Sequence, residues 1–369
     1  MYIAILGPTH PWRGGIAHHT ASLHAELVRQ GHRVTLFNFR RLYLEIFFPG
    51  KSQLDDSEHA FAAPAKRIYD PLDPRSWLEV GRRLRTDRPD RVILQWWHPF
   101  FAPGYAAVAT LARLAGCEVV MMCHNVEPHE STPVDRTLLR LAYALPSRFV
   151  VQSQAERERL EELIGTRRPI TVAAHPRYDI FTELEASCTR AEARQRYGVE
   201  ARHLLLFFGL VRPYKGVDVL LEAASTLPDD IDWELIVAGE IYGSEEDYRR
   251  QIERLDLEER VRLENRYVPN EEVPVLFRAA DACVLPYRQA TGSGAANVAL
   301  ACGVPVLMSR LPTLEHAFAD EAIEWFTPED PAALADSLRR VLCHPTEAPP
   351  VAANNAGWQP LVDALLGSS

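Results

Sequence analysis

A short basic stretch carries the side chains of this sequence that are best suited to chemistry. It reads FFGLVRPYKG over residues 207–216, where an apolar run ends at Gly209 and is followed by Arg212 and Lys215. A solvated basic loop is one interpretation. However, a planar guanidinium and an ammonium that follow a buried strand, with Gly216 opening a helix, are typical of a phosphate site. The stretch therefore predicts binding of a doubly charged phosphate group.

A second stretch supplies a helix start of the kind that accepts anions. It reads PYRQATGSGAANVALACGVP over residues 286–305, and Gly292, Ser293 and Gly294 stand immediately before a predicted helix. Glycines let an anion approach the backbone, and a helix start offers free N–H groups and a positive dipole end. Both stretches follow predicted strands, so we expect them to meet at one edge of a sheet, where open α/β sheets bind ligands.

A pair of glycines, Gly14 and Gly15, lies between the first predicted strand and the first predicted helix. A tight turn there opens on the same kind of sheet edge and is suited to a phosphate. Glycines also occur in such places simply to make the turn. Both interpretations stay open for this pair.

The segment CHNVEPHE, residues 123–130, follows another predicted strand. His124 and His129 with Glu127 could ligate a metal, but their spacing matches no common zinc pattern and no cysteine pair completes it. A lone histidine is commonly a hydrogen-bonded structural group. At the carboxyl end of a strand, His124 is instead a candidate to contact a sugar or to polarise a nucleophile. Asn125 and His129 lie beside it in the sequence.

Aromatic residues concentrate in two stretches, LQWWHPFF at 94–101 and RRLYLEIFF at 40–48. Core packing is the default role of such side chains. Trp97 and His98, however, follow a strand end, and the other stretch mixes basic and large apolar residues in a predicted loop. Both stretches are therefore also candidates for contact with an acceptor or with an anionic membrane surface.

The composition, 47% hydrophobic and 24% charged residues, is that of an ordinary globular protein. A net charge of -10 disfavours nucleic acid as the main partner, so any anionic ligand must be held by local positive charge. The six cysteines form no CxxC pair, which indicates reduced thiols and a cytoplasmic protein. The start MYIAILGPTH has no signal-peptide pattern, and no apolar run is long enough to span a membrane.

Short apolar runs alternate with helical patterns through both halves of the chain, which predicts an α/β fold with parallel sheets covered on both faces. The predicted strands are Tyr2–Leu6, Val34–Phe39, Val92–Trp96, Val119–Cys123, Phe149–Gln152, Ile170–Ala173, Leu204–Phe208, Glu234–Ala238, Val261–Glu264, Ala282–Leu285 and Val304–Met308. Helical spacing also predicts a helix over Ile16–Gln30. Two doubly wound, Rossmann-like domains facing a central cleft follow from this pattern.

The domain boundaries are predicted from composition. The first domain is expected to span residues 1–177 and the second residues 178–350, with a linker near Pro176–Ser187. The prolines of PTEAPP, residues 345–350, end the last helix of the second half. A final amphipathic helix within 354–369, which contains Trp358, is expected to pack back on the first domain.

Across essentially its whole length the sequence resembles GT-B glycosyltransferases of glycosyltransferase family 4. The resemblance rests on the first strand with its glycine pair, RPYKG, DACVLPY at 281–287, ACGVPVL at 301–307 and the C-terminal helix. The combination of RPYKG with ACGVPV makes it fairly specific. It implies a retaining hexosyltransferase that uses a nucleotide-sugar, UDP- or GDP-linked, and needs no bound metal and no cofactor.

The resemblance also implies roles for individual residues. Arg212 and Lys215 match the diphosphate clamp, which stabilises the leaving group that a metal would otherwise neutralise. Gly15 matches a glycine near the donor phosphates, and His124 matches a histidine near the reacting sugar. The predicted catalytic residues are thus His124, Arg212 and Lys215. The predicted donor-binding residues are Gly14, Gly15, Gly209, Arg212, Lys215, Tyr267, Ser293, Gly294, Ala295 and Asn297, and the predicted acceptor-binding residues are Trp97, His98, Asn125 and His129.

The sequence departs from the family at two positions. Family members carry two glutamates separated by seven residues, and the corresponding places here hold Ala290 and Val298. Neither side chain can hydrogen-bond a sugar or a ribose. Some members replace the first glutamate region with a Ser/Gly-rich turn such as TGSG, so the backbone amides at this helix start are expected to keep the phosphate contact. Asn297, one residue away, is a partial substitute.

Three hypotheses for function remain open at this point. The first is a glycosyltransferase that builds a surface polysaccharide or a glycolipid, cytoplasmic or peripheral at the inner face of the membrane, with a hydroxyl acceptor that could be lipid-linked. The second is a GT-B nucleotide-sugar epimerase, which needs an acid/base carboxylate such as Glu127, Glu130 or Glu240 at the sugar. The third is a non-catalytic member that binds a sugar nucleotide or a partner enzyme, as the two missing glutamates suggest.

Overall fold

The structure, a computed structural model, describes residues 1–48, 50–59, 61–127, 133–176, 181, 188–343 and 357–367. The chain divides into two compact units. The first unit comprises Met1–Asp56, Ala60–Pro176 and Ala356–Ser369, and the second comprises Ser57–His59 and Arg177–Asn355. Among the described residues, no helix combines the length and the apolar character needed to cross a membrane.

The first unit is built on a seven-stranded parallel sheet with the strand order β3-β2-β1-β4-β5-β6-β7. Its strands are β1 Tyr2–Leu6, β2 Arg33–Phe39, β3 Ala65–Tyr69, β4 Arg91–Trp96, β5 Glu118–Cys123, β6 Arg148–Val151 and β7 Ile170–Val172. The order reverses between β1 and β4, where Ile3 pairs with Val34 on one side and with Arg91 on the other. Ligands of such sheets bind beyond the carboxyl ends of the strands at this reversal.

Helices cover both faces of this sheet. The described ones are α1 Gly15–Arg29, α2 Pro74–Asp87, α3 Ala102–Leu114, α4 Pro133–Tyr143 and α5 Gln154–Ile164. Successive residues of β1 enter two different apolar clusters, Ala4 and Leu6 in one and Ile3 and Ile5 in the other. Because strand side chains alternate between faces, both faces of the sheet are buried, as parallel sheets require.

The second unit repeats this plan with a six-stranded parallel sheet in the order β10-β9-β8-β11-β12-β13. Its strands are β8 His203–Phe208, β9 Trp233–Ala238, β10 Val261–Glu264, β11 Ala282–Leu285, β12 Val306–Ser309 and β13 Ile323–Phe326. The order reverses between β8 and β11, where Ala282 pairs with Leu205 and Cys283 with Leu206. The loops after these two strands therefore start side by side.

The helices of the second unit begin at residues that favour helix starts. They are α6 Arg190–Arg196, α7 Val217–Ala224, α8 Glu245–Arg254, α9 Val273–Ala279, α10 Gly294–Ala301, α11 Pro312–Ala317 and α12 Pro331–Cys343. Thr189 and Glu192 form a reciprocal capping box at α6. Ser244 caps α8 by accepting a hydrogen bond from the Asp247 amide at 3.2 Å.

A last helix, α13 Gln359–Leu366, belongs to the first unit. Leu361 and Leu365 are buried in the apolar cluster that contains Ile3. Arg91 Nη1 donates to the Leu365 carbonyl at 2.9 Å, which satisfies a carbonyl at the helix end. The helix stops at Gly367, whose φ of 65° is a common C-terminal cap conformation.

The predicted α/β class with two Rossmann-like domains is confirmed. Every predicted strand lies within two residues of an observed one, and the predicted first helix corresponds to α1. The sequence prediction missed β3 and β13, whose sequences AKRIY and IEWF interrupt their apolar residues with charged ones and so lack a continuous apolar run. The predicted linker lies almost wholly outside the described residues.

Candidate active site

The basic loop, residues 209–216, leaves the carboxyl end of β8 at the strand-order reversal of the second unit. We call it the clamp loop. Gly209 has a φ of +112°, a conformation that L side chains rarely adopt. Gly216 has a φ of +69°, and a Cβ added to it would lie 1.9 Å from the Pro286 carbonyl oxygen. Both ends of the loop thus require glycine, at one end to reverse the chain and at the other to admit a neighbouring backbone.

The two cations of the clamp loop lie against aromatic rings. The Arg212 guanidinium is 4.8 Å from the centre of the Tyr242 ring, and the Lys215 ammonium is 5.1 Å from that of Tyr287. Among the residues that the structure describes, neither cation forms an ion pair with a carboxylate. Two neighbouring cations without a counter-ion make a site that favours an anion.

The surroundings of Lys215 disfavour the charged form of its side chain. Burial, and after it the charge of Arg212, lowers the pKa of the Lys215 ammonium to about 8. Its Nζ lies 3.4 Å from the position of a Cβ built on Gly209, so the ammonium packs against the end of β8. A bound anion would remove the penalty of keeping this ammonium charged, because opposite charge favours the ionised form.

The start of α10 lies in the loop after β11, the strand next to β8. Ser293 caps the helix by accepting from the Ala296 amide at 3.1 Å, and its hydroxyl is also 3.1 Å from that of Tyr287. Since the first amides of a helix have no intrahelical acceptor, those of Gly294 and Ala295 remain for a ligand or water. No atom in the described part of the chain lies within 4 Å of a Cβ built on Gly292, so these residues leave the backbone open to approach there.

The structure brings the two predicted phosphate-binding stretches into contact. The backbone amide of Arg288 donates to the Tyr214 carbonyl at 2.8 Å, and Tyr287 carries Lys215 over its ring. The clamp loop and the start of α10 thus lie at one sheet edge of the second unit. We call them together the anion half-site.

The other predicted donor residues have less distinctive surroundings. Tyr267 donates from its hydroxyl to Asn270 Oδ1 at 3.4 Å, and Asn297 is buried in α10. Of the two positions that carry glutamate in the family, Val298 is buried, and Ala290 accepts a hydrogen bond from Thr313 through its backbone carbonyl at 2.5 Å. No carboxylate stands at either position.

The glycine pair of the first unit opens α1. Gly14 has a φ of +108°, and no atom of the described residues lies within 4 Å of a Cβ built on it. Its carbonyl accepts from the amides of Ala17 and His18 at 3.0 and 3.1 Å, so it serves as the cap of α1. Gly14 therefore makes the turn, and the space over it is open to a ligand.

His124 follows β5 in the first unit and is buried between two glutamines. Its Nε2 is 2.6 Å from Gln95 Oε1, and its Nδ1 is 3.4 Å from Gln152 Nε2. An amide oxygen accepts and an amide nitrogen donates, so this arrangement selects the tautomer with the proton on Nε2. Gln95 Nε2 is itself buried and has no hydrogen-bond partner among the described residues.

Two further histidines surround His124. The ring of His19 lies 4.6 Å from that of His124, 5.2 Å from that of His175 and 5.1 Å from that of Trp358. Burial, and then the charge of His175, lowers the pKa of His124 to about 3. The pKa of His19 is also well below its usual range, chiefly because of burial. At neutral pH His124 is therefore an uncharged hydrogen-bonding group.

The predicted acceptor residues divide between packing and exposure. Trp97 Nε1 donates to the Tyr43 hydroxyl at 2.7 Å, and the indole packs 4.3 Å from the ring of Phe101. His98 is exposed, and its Nδ1 accepts from the Phe100 amide at 3.1 Å, which caps a short turn. Asn125 is partly exposed. The remaining predicted residue, His129, lies outside the described residues.

Sequence reasoning missed three residues that organise these sites. Gln95 and Gln152 orient His124, and Arg288 contacts the clamp loop. A signal existed for Gln95, the one amide side chain in the buried strand RVILQW, because buried amides need partners. Among the described residues, no group of three histidine, cysteine, aspartate or glutamate side chains is arranged to hold a metal.

Two doubly wound α/β units, the second with a cationic site at its strand-order reversal, define the GT-B class of architecture. Residues 13–176 match the family model of Glycosyltransferase Family 4, and residues 189–356 match that of Glycosyl transferases group 1. Together these segments account for most of the chain. The chain therefore belongs to the glycosyltransferases that these two family models describe.

Individual relatives agree with this assignment. A D-inositol 3-phosphate glycosyltransferase of Kineococcus radiotolerans is 28% identical over 84% of this chain and 73% of its own length. A GDP-mannose:glycolipid 4-beta-D-mannosyltransferase of Xanthomonas campestris is 34% identical over 53% of this chain and 51% of its own length. The Anabaena protein HepE, solved in complex with UDP and glucose, shares the fold with a TM-score of 0.72 at 18% identity, over 100% of this chain and 98% of its own.

Proposed function

We propose that this glycosyltransferase is retaining and metal-independent and moves a hexosyl group from a UDP- or GDP-linked donor to a hydroxyl acceptor. The observation that carries the proposal is the anion half-site, in which two cations that have no carboxylate partner among the described residues stand beside the start of α10. The names of the relatives support this donor class, since one uses GDP-mannose and HepE was solved with UDP.

In this proposal Arg212, Lys215 and the amides of Gly294 and Ala295 hold the donor diphosphate. The bond from the sugar C1 to the phosphate oxygen breaks first, and negative charge builds on that oxygen. The guanidinium and the ammonium neutralise this charge, which is the task that a metal performs in other enzymes. The acceptor oxygen then bonds to C1 on the face that the phosphate leaves, and the acceptor proton passes to the departing phosphate.

The first unit supplies the acceptor side of the reaction in this proposal. His124 contacts the sugar as a neutral group, since its low pKa excludes a charged imidazolium at neutral pH. Both of its ring nitrogens are hydrogen-bonded to glutamines, so a sugar hydroxyl would replace one of these two partners. The Gln95 amide beside His124, whose Nε2 has no partner in the described part of the chain, is a second donor for a sugar hydroxyl. Gly15, Trp97 and Asn125 complete the set of proposed contacts.

We also propose a lipid-linked acceptor at the cytoplasmic face of the membrane. In the stretch 40–48 the side chain of Ile46 is 85% exposed. The guanidinium of Arg13, from outside this stretch, lies 5.7 Å from the centre of the Phe48 ring. Arg40 and Arg41 are paired with carboxylates, so apolar contact supports this proposal more than charge does. The mannosyltransferase relative is named for a glycolipid acceptor.

Donor hydrolysis and nucleotide titration test the proposal. The purified protein should hydrolyse a member of a panel of UDP- and GDP-sugars in the presence of EDTA, and NMR should show the α-configured donors giving α-configured products. Replacing Arg212 and Lys215 together by Ala should abolish nucleotide binding, because both charges that hold the diphosphate are gone. Arg250→Ala, in an exposed pair on α8, is the control. Unchanged binding in the double variant would contradict the proposal.

The missing glutamates favour one alternative, a non-catalytic protein that binds sugar nucleotides. Positions 290 and 298 offer no carboxylate to the ribose or to the sugar. Nucleotide binding without any turnover, across the whole donor panel and with candidate acceptors present, would support this alternative over the enzyme.

A further inference from the structure

Arg288 lies in the loop after β11 and joins three elements of the second unit. Its guanidinium forms a bidentate pair with Asp218 in the first turn of α7, at 2.8 Å from Nη1 to Oδ1 and 2.6 Å from Nη2 to Oδ2. Its Nε donates to Glu329 at 3.1 Å. Glu329 adopts a φ of +56°, a conformation that is uncommon outside glycine and is held by the surrounding structure.

Arg288 also donates hydrogen bonds to the backbone of the clamp loop. Arg288 Nη1 donates to the Pro213 carbonyl at 2.6 Å, and the Arg288 backbone amide donates to the Tyr214 carbonyl at 2.8 Å. Pro213 and Tyr214 form the short turn between the two cations of the loop. One residue therefore satisfies two consecutive carbonyls of the segment that separates Arg212 from Lys215.

The charge of Arg288 is used differently from that of the clamp cations. Asp218 and Glu329 balance it, so Arg288 adds no uncompensated positive charge to the half-site. Its N–H groups are directed at protein acceptors, whereas neither Arg212 nor Lys215 forms an ion pair among the described residues. This difference in partners indicates that Arg288 supports the clamp loop and does not contact the ligand.

We propose that Arg288, through its fork with Asp218, is a positioning residue that fixes the clamp loop in its anion-binding conformation. The proposal rests on the proposed role of the clamp loop in diphosphate binding. A loop that is already ordered loses less conformational entropy when the ligand binds, so its support contributes to affinity without touching the ligand.

The variants Arg288→Lys and Asp218→Asn test this with UDP and GDP as probes. Lysine at position 288 keeps the positive charge but cannot form the bidentate pair with Asp218. Asparagine at position 218 removes the negative charge and one of the two acceptor oxygens of that pair. Each variant should raise the dissociation constant of the nucleotide that the wild type binds by about tenfold, the effect of roughly 1.4 kcal/mol. Arg310→Lys, in an exposed pair with Glu315, is the matched control and should bind as the wild type does.

The Asp218→Asn variant separates positioning from direct contact. If Arg288 bound the diphosphate itself, loss of Asp218 would free the guanidinium and tighten binding. If Arg288 positions the loop, the same variant weakens binding. Tighter or unchanged binding in Asp218→Asn, with a normal melting temperature, overturns the proposal.

Hydrogen exchange on the ligand-free protein gives a readout that does not depend on nucleotide. Amides of residues 209–216 should exchange at least tenfold faster in Arg288→Lys than in the wild type, while those of α12 stay unchanged. A wild type that binds neither UDP nor GDP counts against the proposed function. Unchanged exchange in the clamp loop counts against this inference alone.

Discussion

At the scale of single residues, the charge of Lys215 gives the first prediction. Burial and Arg212 lower its pKa to about 8, and a bound diphosphate should raise it again. Below pH 8 the free protein already carries this charge. Above pH 8 it must take up a proton to bind, so the affinity for UDP or GDP should fall by up to about tenfold per pH unit.

Calorimetry in buffers of different ionisation enthalpy measures this proton uptake directly. At pH 8.5 the wild type should take up a substantial fraction of a proton on binding, whereas Lys215→Arg, which stays charged, should take up none. A dissociation constant that is equal at pH 7.5 and pH 9 would contradict the prediction.

The partners of His124 give a second prediction at this scale. Gln95→Glu would place a carboxylate 2.6 Å from Nε2, where an amide oxygen stands now. Because a neighbouring negative charge favours the imidazolium, the pKa of His124 should rise from about 3 toward or above its ordinary value. A titration of the histidine ring resonances by NMR measures this, with His124→Phe to assign the signal. A neutral His124 at pH 5 in the variant would contradict it.

The sequence could predict residues of the site only where the residue type itself reveals the chemistry. Arg212 and Lys215 were predicted because cations after a strand are conspicuous. Gln95 and Arg288 were missed because their importance comes from partners that the fold supplies, His124 and Asp218. The roles assigned to His98 and Asn125 stay predictions.

At the scale of elements, two glycines of the anion half-site differ in whether the backbone requires glycine. Gly216 is required by its conformation and by a close neighbour, whereas the described structure leaves room for a side chain at Gly292. Gly216→Ala would force a left-handed φ on alanine and place its Cβ against the Pro286 carbonyl. It should destabilise the second unit by about 1–3 kcal/mol from strain, with the displaced carbonyl adding to this, and weaken nucleotide binding. Chemical denaturation and nucleotide titration measure the two effects.

Gly292→Ala is the matched control for stability. None of the residues that the structure describes lies near the position of its Cβ, and its φ is not in the left-handed region, so stability should change by less than about 0.5 kcal/mol. If an anion approaches the backbone at the start of α10 as proposed, this variant should still bind nucleotide more weakly. Equal losses of stability in the two variants would contradict the distinction.

The sequence predicts a strand reliably only where the strand is a run of apolar residues. Buried strands such as β4 and β8 are continuous apolar runs and were predicted to within a residue. Strands β3 and β13 were not predicted, since their sequences AKRIY and IEWF mix charged with apolar residues and are largely only partly buried or exposed. Pairing with β2 and with β12 makes them strands, and pairing is not written in a local pattern.

At the scale of the molecule, the C-terminal helix α13 completes the core of the first unit. Leu365 is fully buried although it lies more than 270 residues from Arg91, which binds its carbonyl. Leu365→Ala should cost about 2–5 kcal/mol, as large-to-small changes in cores do. Denaturation followed by tryptophan fluorescence measures the loss, and the exposed Leu114→Ala serves as the control. Equal stabilities of the two variants would contradict a core role for α13.

The same core makes the first unit sensitive to acid, because it holds three neighbouring histidines, His19, His124 and His175, whose pKa values are lowered by burial. Their pKa values are lowered in the folded state, so the unfolded chain takes up protons that the folded chain refuses. Stability is therefore complete above the ordinary histidine pKa of about 6.5 and falls below it by at most about 1.4 kcal/mol per pH unit for each of the three. Urea denaturation at pH 7.5, 6 and 5 should show this slope, and His19→Leu should reduce it by about a third. A slope that persists in full in His19→Leu would mean that other groups take up the protons.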